Sequence, residues 1–362
     1  MTEPGLADVL GSAAAGVGVG GFADRFGFGD VQHAVVCLVD GLGWRLLREF
    51  SDHAPTLAAA SGGPISTVFP TTTPSALGSL GTGLLPGAHG LVGGSFLLPE
   101  TDQVLNPLKW SGAPLPVSVQ PEPTIFETAS RAGVEVSTIG PGSYKSSGLT
   151  NAVLRGARYR AAEDTAARVR ALHAATSGAG RTLTYVYWAE VDRVGHESGV
   201  GSGPWLAALR RADALVAGLG EALPRGSAML VTADHGMVNC PASSRIAIES
   251  HPELMADVMM VAGEPRVRHL YARPMHVEAI AGRWRQRLGD LARVLTRDEV
   301  IATGLYGPTD DFIAERIGHV VAVAQGAASL ASVRDRLVSS LIGQHGALSL
   351  AELEIPALMF RG

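Results

Sequence analysis

The chain is poor in charge. Asp, Glu, Lys and Arg make up 17% of its 362 residues, while hydrophobic types make up 46%. Intrinsic disorder is excluded, because it requires low hydrophobicity and a high net charge. Cations are in short supply too: 29 Lys and Arg face 34 Asp and Glu, for a net charge of −5. A nucleic-acid polymer is therefore not an expected partner, since phosphate-backbone binding depends on accumulated Lys and Arg. Cysteine is nearly absent. Cys37 and Cys240 lie far apart and form no C-x-x-C pair, which excludes a disulfide scaffold and points to a reducing compartment. No apolar run approaches the roughly 18 to 20 residues of a membrane span. Glu3 and Asp8 precede any Arg, so the basic start of an export signal is missing. The expectation is a soluble cytoplasmic protein without a membrane partner. No fixed repeat period occurs, which excludes solenoids and propellers.

What the sequence does contain is a rhythm. The first 32 residues are rich in Gly and Ala and read as an irregular lead-in. Continuous apolar runs follow at "HAVVCLVDG" (33–41), "VEVSTIG" (134–140), "TLTYVYWAEVD" (182–192) and "SAMLVTADHG" (227–236). Such runs fit strands buried on both faces of a parallel sheet. Helical patterns lie between them, among them "PSALGSLGTG", with Pro74 at its start, and the long amphipathic "PWLAALRRADALVAGLGEAL". Strands alternating with helices predict an α/β fold with a doubly wound, mostly parallel sheet and helices on both faces. Two segments break the pattern. Residues 94–122 are Pro-rich and read as an excursion. Residues 256–342 hold short apolar runs around a helical "EAIAGRWRQRLGDLARVL" and read as a smaller α+β insertion. The core would then comprise 33–255 and 343–362.

In an open α/β sheet, ligands bind beyond the carboxyl ends of the strands. Three predicted strands deliver an acid there: Asp40, Asp192 and Asp234. His196 and His235 lie close to two of them, and His345 follows a Gly/Gln turn. One strand-end Asp is ordinarily a helix cap, but three, two of them with a neighbouring His, form an oxygen-and-imidazole donor set suited to Zn²⁺ or similar cations. The segment "VFPTTTPSALGSLGTG" places a hydroxyl at the mouth of a helix, where exposed backbone N–H groups cradle phosphate. By local sequence alone, Thr73 reads first as a plain helix cap. Other features carry no chemistry. "GVGVGG" (16–21) follows no strand, "GPGSYKSS" lacks the Gly directly before Lys145, and no G-x-S-x-G occurs. His89 reads as a brace for its turn, and Tyr187 and Trp188 as core.

In order along the chain, Asp40, "FPTTT", "TGLLPGAHG", "DRVGH", "ADHG" and "QHG" resemble the alkaline phosphatase superfamily. Within it they are similar to the nucleotide pyrophosphatase/phosphodiesterase (type I phosphodiesterase) family, over residues 35 to about 357. The resemblance implies two divalent metal ions, Zn²⁺ in the first place and Mn²⁺ as the alternative. Asp40, Thr73, Asp234 and His235 would hold one, and Asp192, His196 and His345 the other. It implies Thr73 as nucleophile and a covalent phospho-enzyme intermediate. Pro70 three residues before, with Thr82-Gly83 nine and ten after, selects Thr73. The family's frequent Pro two residues after the nucleophile would instead select Thr72, from Pro74. The family's "HGIVGN" is "HGLVGG" here, so Gly94 stands where an Asn would contact phosphate. The implied partner is a small phosphoester, nucleotides included. Phosphonate hydrolase, phosphomonoesterase and phosphomutase activities stay open, as does a non-catalytic metal-binding protein.

Overall fold

The computed structural model describes residues 3–362. Its centre is a seven-stranded sheet in the order Ser61–Ser66, Glu354–Arg361, Ser227–Thr232, His33–Val39, Thr182–Trp188, Glu135–Gly140, Arg158–Ala161. From Ser227–Thr232 to Arg158–Ala161 every pairing is parallel, and only Glu354–Arg361 runs against its two neighbours. Every residue of His33–Val39 is buried. That explains its unbroken apolar run, because a central parallel strand has no solvent face.

Alternation along Thr182–Trp188 identifies the two faces of the sheet. Trp188 lies under the Arg168 guanidinium of the helix Thr165–Thr176, 4.7 Å from the ring centroid. Tyr185 and Tyr187 instead line a cavity together with Leu77 and Leu149, from the helices Thr73–Thr82 and Gly148–Val153. The helix Thr73–Thr82 is buried along its whole length. Its small residues permit close approach: a Cβ on Gly81 would sit 1.9 Å from the Val153 carbonyl oxygen.

The lead-in differs from expectation. Residues 1 and 2 lie outside the described residues, but Leu6–Gly16 is a helix. Leu6, Val9, Leu10, Ala13 and Ala14 are its buried stripe, at the i, i+3, i+4 spacing of an amphipathic helix. Glycine content obscured that spacing. Gly16 is needed where it stands, since a Cβ there would lie 2.7 Å from Phe28 Cβ.

Residues 258–324 form a four-stranded antiparallel sheet in the order Val258–Glu264, Val267–Ala272, Val320–Ala324, Ala292–Thr296. Leu270, Val320 and Ala322 face the helix Val277–Leu288 with Ile280 and Trp284. Val267, Val321 and Val323 join the main core. The helical reading of 278–295 was too long: the helix stops at Gly289, whose φ is +48°, and Ala292–Thr296 is strand. Among the described residues, no helix is long and apolar enough to cross a membrane.

Candidate active site

The three acids arrive by two routes. Asp40 directly follows the strand His33–Val39, and Asp234 follows the adjacent strand Ser227–Thr232 after one intervening residue. Asp192 does not end a strand, as the sequence led us to expect. The neighbouring strand stops at Trp188, and Asp192 lies in the first turn of the helix Glu190–Ser198. That places it one turn from His196, on the same helix face, with His196 Nε2 3.4 Å from Asp192 Oδ1. Gly41, with φ of +74°, permits the crowding: a Cβ there would sit 2.8 Å from Asp192 Cα.

Two triads result, Asp40/Asp234/His235 and Asp192/His196/His345, each with donor atoms within 4.8 Å of one another. His235 Nε2 lies 3.6 Å from Asp40 Oδ1 and 3.4 Å from Asp234 Oδ2. His345 Nε2 lies 3.8 Å from Asp192 Oδ1 and 3.2 Å from His196 Nε2. The His235 and His345 rings stack at 3.6 Å and join the triads.

Hydrogen bonding tests whether these groups suit a cation. Asp40 Oδ1, Asp192 Oδ1 and Asp234 Oδ2 are buried without a partner, which is costly for carboxylates. The three Nδ1 atoms each meet a backbone carbonyl: His196 at Gly343 (2.7 Å), His235 at Gly236 (3.0 Å) and His345 at Thr71 (2.8 Å). Nδ1 must therefore carry the proton, which leaves each Nε2 lone pair directed at the orphaned oxygens. Three bare oxygens facing three bare nitrogens are a donor set that fits divalent metal ions.

The titration behaviour has the same origin. Burial, then the charges of Asp234 and Asp192, hold the Asp40 carboxyl well above the usual carboxylate range. Burial pushes Asp192 up to about 6, with His196 opposing. Asp234 is raised by burial too, opposed by the Gly41 amide. His235 is pushed down to about 3, chiefly by burial, and burial with its two His neighbours holds His345 well below its ordinary value. A bound cation reverses this preference for neutral acids.

The three threonines have different surroundings. Thr71 ties its turn to the His345 turn: its N–H donates to Gly346 O, its Oγ1 donates to Ala347 O and accepts from Gly346 N–H. Thr72 is the helix N-cap, and its side chain makes no cap hydrogen bond. Thr73 is the first helical residue, one position earlier than Pro74 suggested. It is not the cap, and its Oγ1 lies 3.3 Å from His235 Nε2. His89 braces the next turn, with the Leu91 N–H donating to its Nδ1 and its Nε2 3.0 Å from Ser79 Oγ.

Beside Thr73, Asp40 and Asp192 opens a cavity of about 280 Å³, lined by Tyr144, Tyr159, Tyr185, Tyr187, Thr138 and Leu149 among others. Tyr187, which the sequence led us to read as core, lines this cavity and donates its hydroxyl to Asp40 Oδ2. Its position, two residues before the turn that leads to Asp192, was the available signal. Thr138 Oγ1 and Tyr185 Oη are buried there without partners. A further acid that the sequence did not flag, Glu264, comes from the smaller sheet and accepts the Gly94 N–H at 2.7 Å.

The fold is shared with solved structures. Murine ectonucleotide pyrophosphatase/phosphodiesterase 5 superposes with a TM-score of 0.71 at 19% identity, over 90% of this chain and 87% of that one. An inactive Thr-to-Ala variant of the murine protein in complex with AMP gives 0.70 at 18%, over 91% and 88%. Phosphonoacetate hydrolase from Sinorhizobium meliloti 1021, in complex with phosphonoformate, also gives 0.70 at 18%, over 91% and 90%. No curated protein matches the chain significantly in sequence. Residues 34–347 do match the type I phosphodiesterase / nucleotide pyrophosphatase family. With this match over most of its length, the chain belongs to that family and is a hydrolase of it.

Proposed function

We propose that the protein hydrolyses small phosphodiesters, nucleotides among them, with Thr73 as nucleophile and two divalent metal ions, Zn²⁺ by preference. The observation that carries this reading is the Thr73 hydroxyl beside His235 Nε2 and the unpartnered oxygens of Asp40 and Asp234. Asp40, Thr73, Asp234 and His235 would hold one ion, and Asp192, His196 and His345 the other. Such ions supply Lewis acidity, lowering the pKa of a bound hydroxyl and neutralising phosphoryl oxygens.

The chain's own residues do the rest. The Thr73 oxygen attacks phosphorus as the bond to the leaving oxygen breaks, and water then displaces Thr73 in a second in-line step. The helix Thr73–Thr82 begins at the site, and although Pro74 carries no N–H, its N-terminal end favours anionic oxygens there. The tyrosine-lined cavity takes the non-reacting part of the substrate. Phenol rings suit an aromatic heterocycle. The complex of the murine relative with AMP supports a nucleotide. Two buried free thiols support a reducing, cytoplasmic location.

The test is a substrate screen of bis-p-nitrophenyl phosphate, p-nitrophenyl phosphate, nucleotides and phosphonoacetate, each with Zn²⁺ and with Mn²⁺. The diester should turn over faster than the monoester. A large margin the other way selects the monoesterase or mutase branch, and turnover of phosphonoacetate alone selects the phosphonatase.

A further inference from the structure

One acidic side chain of the smaller sheet reaches the loop after His89, beside the hydrogen bonds that Ser95 exchanges with Gly263. Glu264 ends the strand Val258–Glu264 at a tight hairpin, opposite Val267. It is 7% exposed. Its Oε2 accepts the Gly94 N–H at 2.7 Å, and its Oε1 is buried with no partner. Three glycines make room for this carboxyl. A Cβ on Gly94 would lie 2.6 Å from Oε2, one on Gly346 3.0 Å from Oε1, and one on Gly93 3.8 Å from Oε2. These glycines belong to two site turns, the loop after His89 and the turn that presents His345. The same absent Cβ at position 94 would be 3.5 Å from Thr72 Oγ1, beside Thr73. Glu264 thus fills the volume into which a side chain at position 94 would project, and a side chain there would require the Glu264 carboxyl to shift.

Simple packing does not account for an acid here. An apolar side chain would fill the cradle at lower desolvation cost, but would leave the Gly94 N–H unpaired. Burial pushes the Glu264 carboxyl up to about 8, with the Gly94 amide and Arg268 opposing and Asp335 and Glu352 adding. Burial therefore favours its neutral form, held to a single backbone donor.

We propose that Glu264 is a positioning residue for phosphoryl transfer: it holds the Gly94 amide, and so the loop 93–94, against the nucleophile turn in place of a side chain at position 94. This rests on the reading of Thr73 as nucleophile. It also gives the smaller sheet a part in the reaction, through a side-chain hydrogen bond that adds to the Gly263–Ser95 bonds at the end of its edge strand.

The test compares wild type, Glu264→Ala, Glu264→Gln, Gly94→Asn and the double variant Gly94→Asn/Glu264→Ala as full chains loaded with Zn²⁺. The readouts are kcat and KM on bis-p-nitrophenyl phosphate, and Tm. Glu264→Ala should lower kcat by roughly 10- to 100-fold, the size expected of a misplacement near 1 Å, with a smaller change in KM. Glu264→Gln keeps an oxygen acceptor for the Gly94 N–H and should lose much less. Gly94→Asn alone should be impaired by collision with Glu264, and the double variant should recover roughly tenfold over it, a coupling only neighbours display. A folded Glu264→Ala with wild-type kcat, or a double variant no better than Gly94→Asn, overturns the proposal. Should Glu264→Ala fail to fold, Glu264→Gln decides: a folded Gln variant that loses 10- to 100-fold or so despite its amide oxygen overturns it, and one that stays active supports it. A wild-type chain without turnover refutes the phosphoester reading itself, and the proposal falls with it; the wild-type rate distinguishes the two failures.

Discussion

Adjacent threonines with different surroundings give a sharp test of the nucleophile. Thr73 Oγ1 lies 3.3 Å from His235 Nε2 and lines the cavity beside Asp40. Thr72 is equally buried but caps the helix without using its side chain. The change Thr73→Ala removes a hydroxyl and a γ-methyl from the wall of a cavity, so little enclosed void forms. Its stability cost should be about 1 kcal/mol, or roughly 2–4 °C in Tm if the core behaves as a domain of 150–250 residues. Its catalytic cost is of another order. Losing the attacking oxygen removes a covalent step, and kcat should fall by roughly a thousandfold or more.

Thr72→Ala should lose less stability than the ~1 kcal/mol of a bonded cap, because no cap bond is present to lose. It should keep substantial activity. Thr73→Ser retains the hydroxyl and should stay far closer to wild type than Thr73→Ala. Steady-state kinetics on bis-p-nitrophenyl phosphate and thermal melts of all three variants provide the assay. An inactive Thr72→Ala with an active Thr73→Ala would show that the register built on Pro74 is right. If both variants remain active, no threonine of this turn is the nucleophile.

Three further expectations follow from the site. Chelation by EDTA should abolish activity and lower Tm by several degrees, since a metal at about 100 times its Kd stabilises the native state by ~2.7 kcal/mol; an unchanged Tm and rate after exhaustive chelation counts against bound metals. Tyr187→Phe removes the donor to Asp40 Oδ2 and should weaken Zn²⁺ affinity by roughly 10- to 100-fold while the protein stays folded, which isothermal titration of the metal-free chain measures. Glu264 binds its proton in the folded state up to about pH 8 against an ordinary value of 4.5. Wild-type stability should therefore fall relative to Glu264→Gln as pH rises from 5 to 8, by up to a few kcal/mol, and level off above; parallel Tm-against-pH curves would sink that expectation.

The acids and histidines that the structure gathers into two triads could be picked out in the sequence because metal-type chemistry fixes both residue type and location. Asp40 and Asp234 had to follow buried strands, and the apolar runs that mark those strands can be read directly. Asp192 was legible as a site residue but not as a helical one. The apolar "TYVYWAEV" continues without a break past Trp188, and nothing local marks the change from strand to helix at Ala189–Glu190. The helix Leu6–Gly16 was hidden for the opposite reason. Its spacing was present, but Gly and Ala dilute the contrast between faces, and only the close approach to Phe28 and Phe22 explains why small residues are needed.

Tyr187 and Glu264 belong to a different class, whose roles depend on tertiary placement. Tyr187 alternates with Trp188 in an apolar strand, and either face could have been the core. Only the cavity on the Tyr187 side makes its hydroxyl a partner for Asp40. Glu264 lies 170 residues from Gly94 in sequence, on a sheet whose packing against the loop after His89 no local pattern encodes. The sequence held half of this relation in Gly94, where a side chain is missing. A missing side chain does not say what fills its place, and that requires the backbone of the smaller sheet. Long-range compensation of this kind is where reading one sequence stops: the gap is local, while the group that occupies it arrives through the fold.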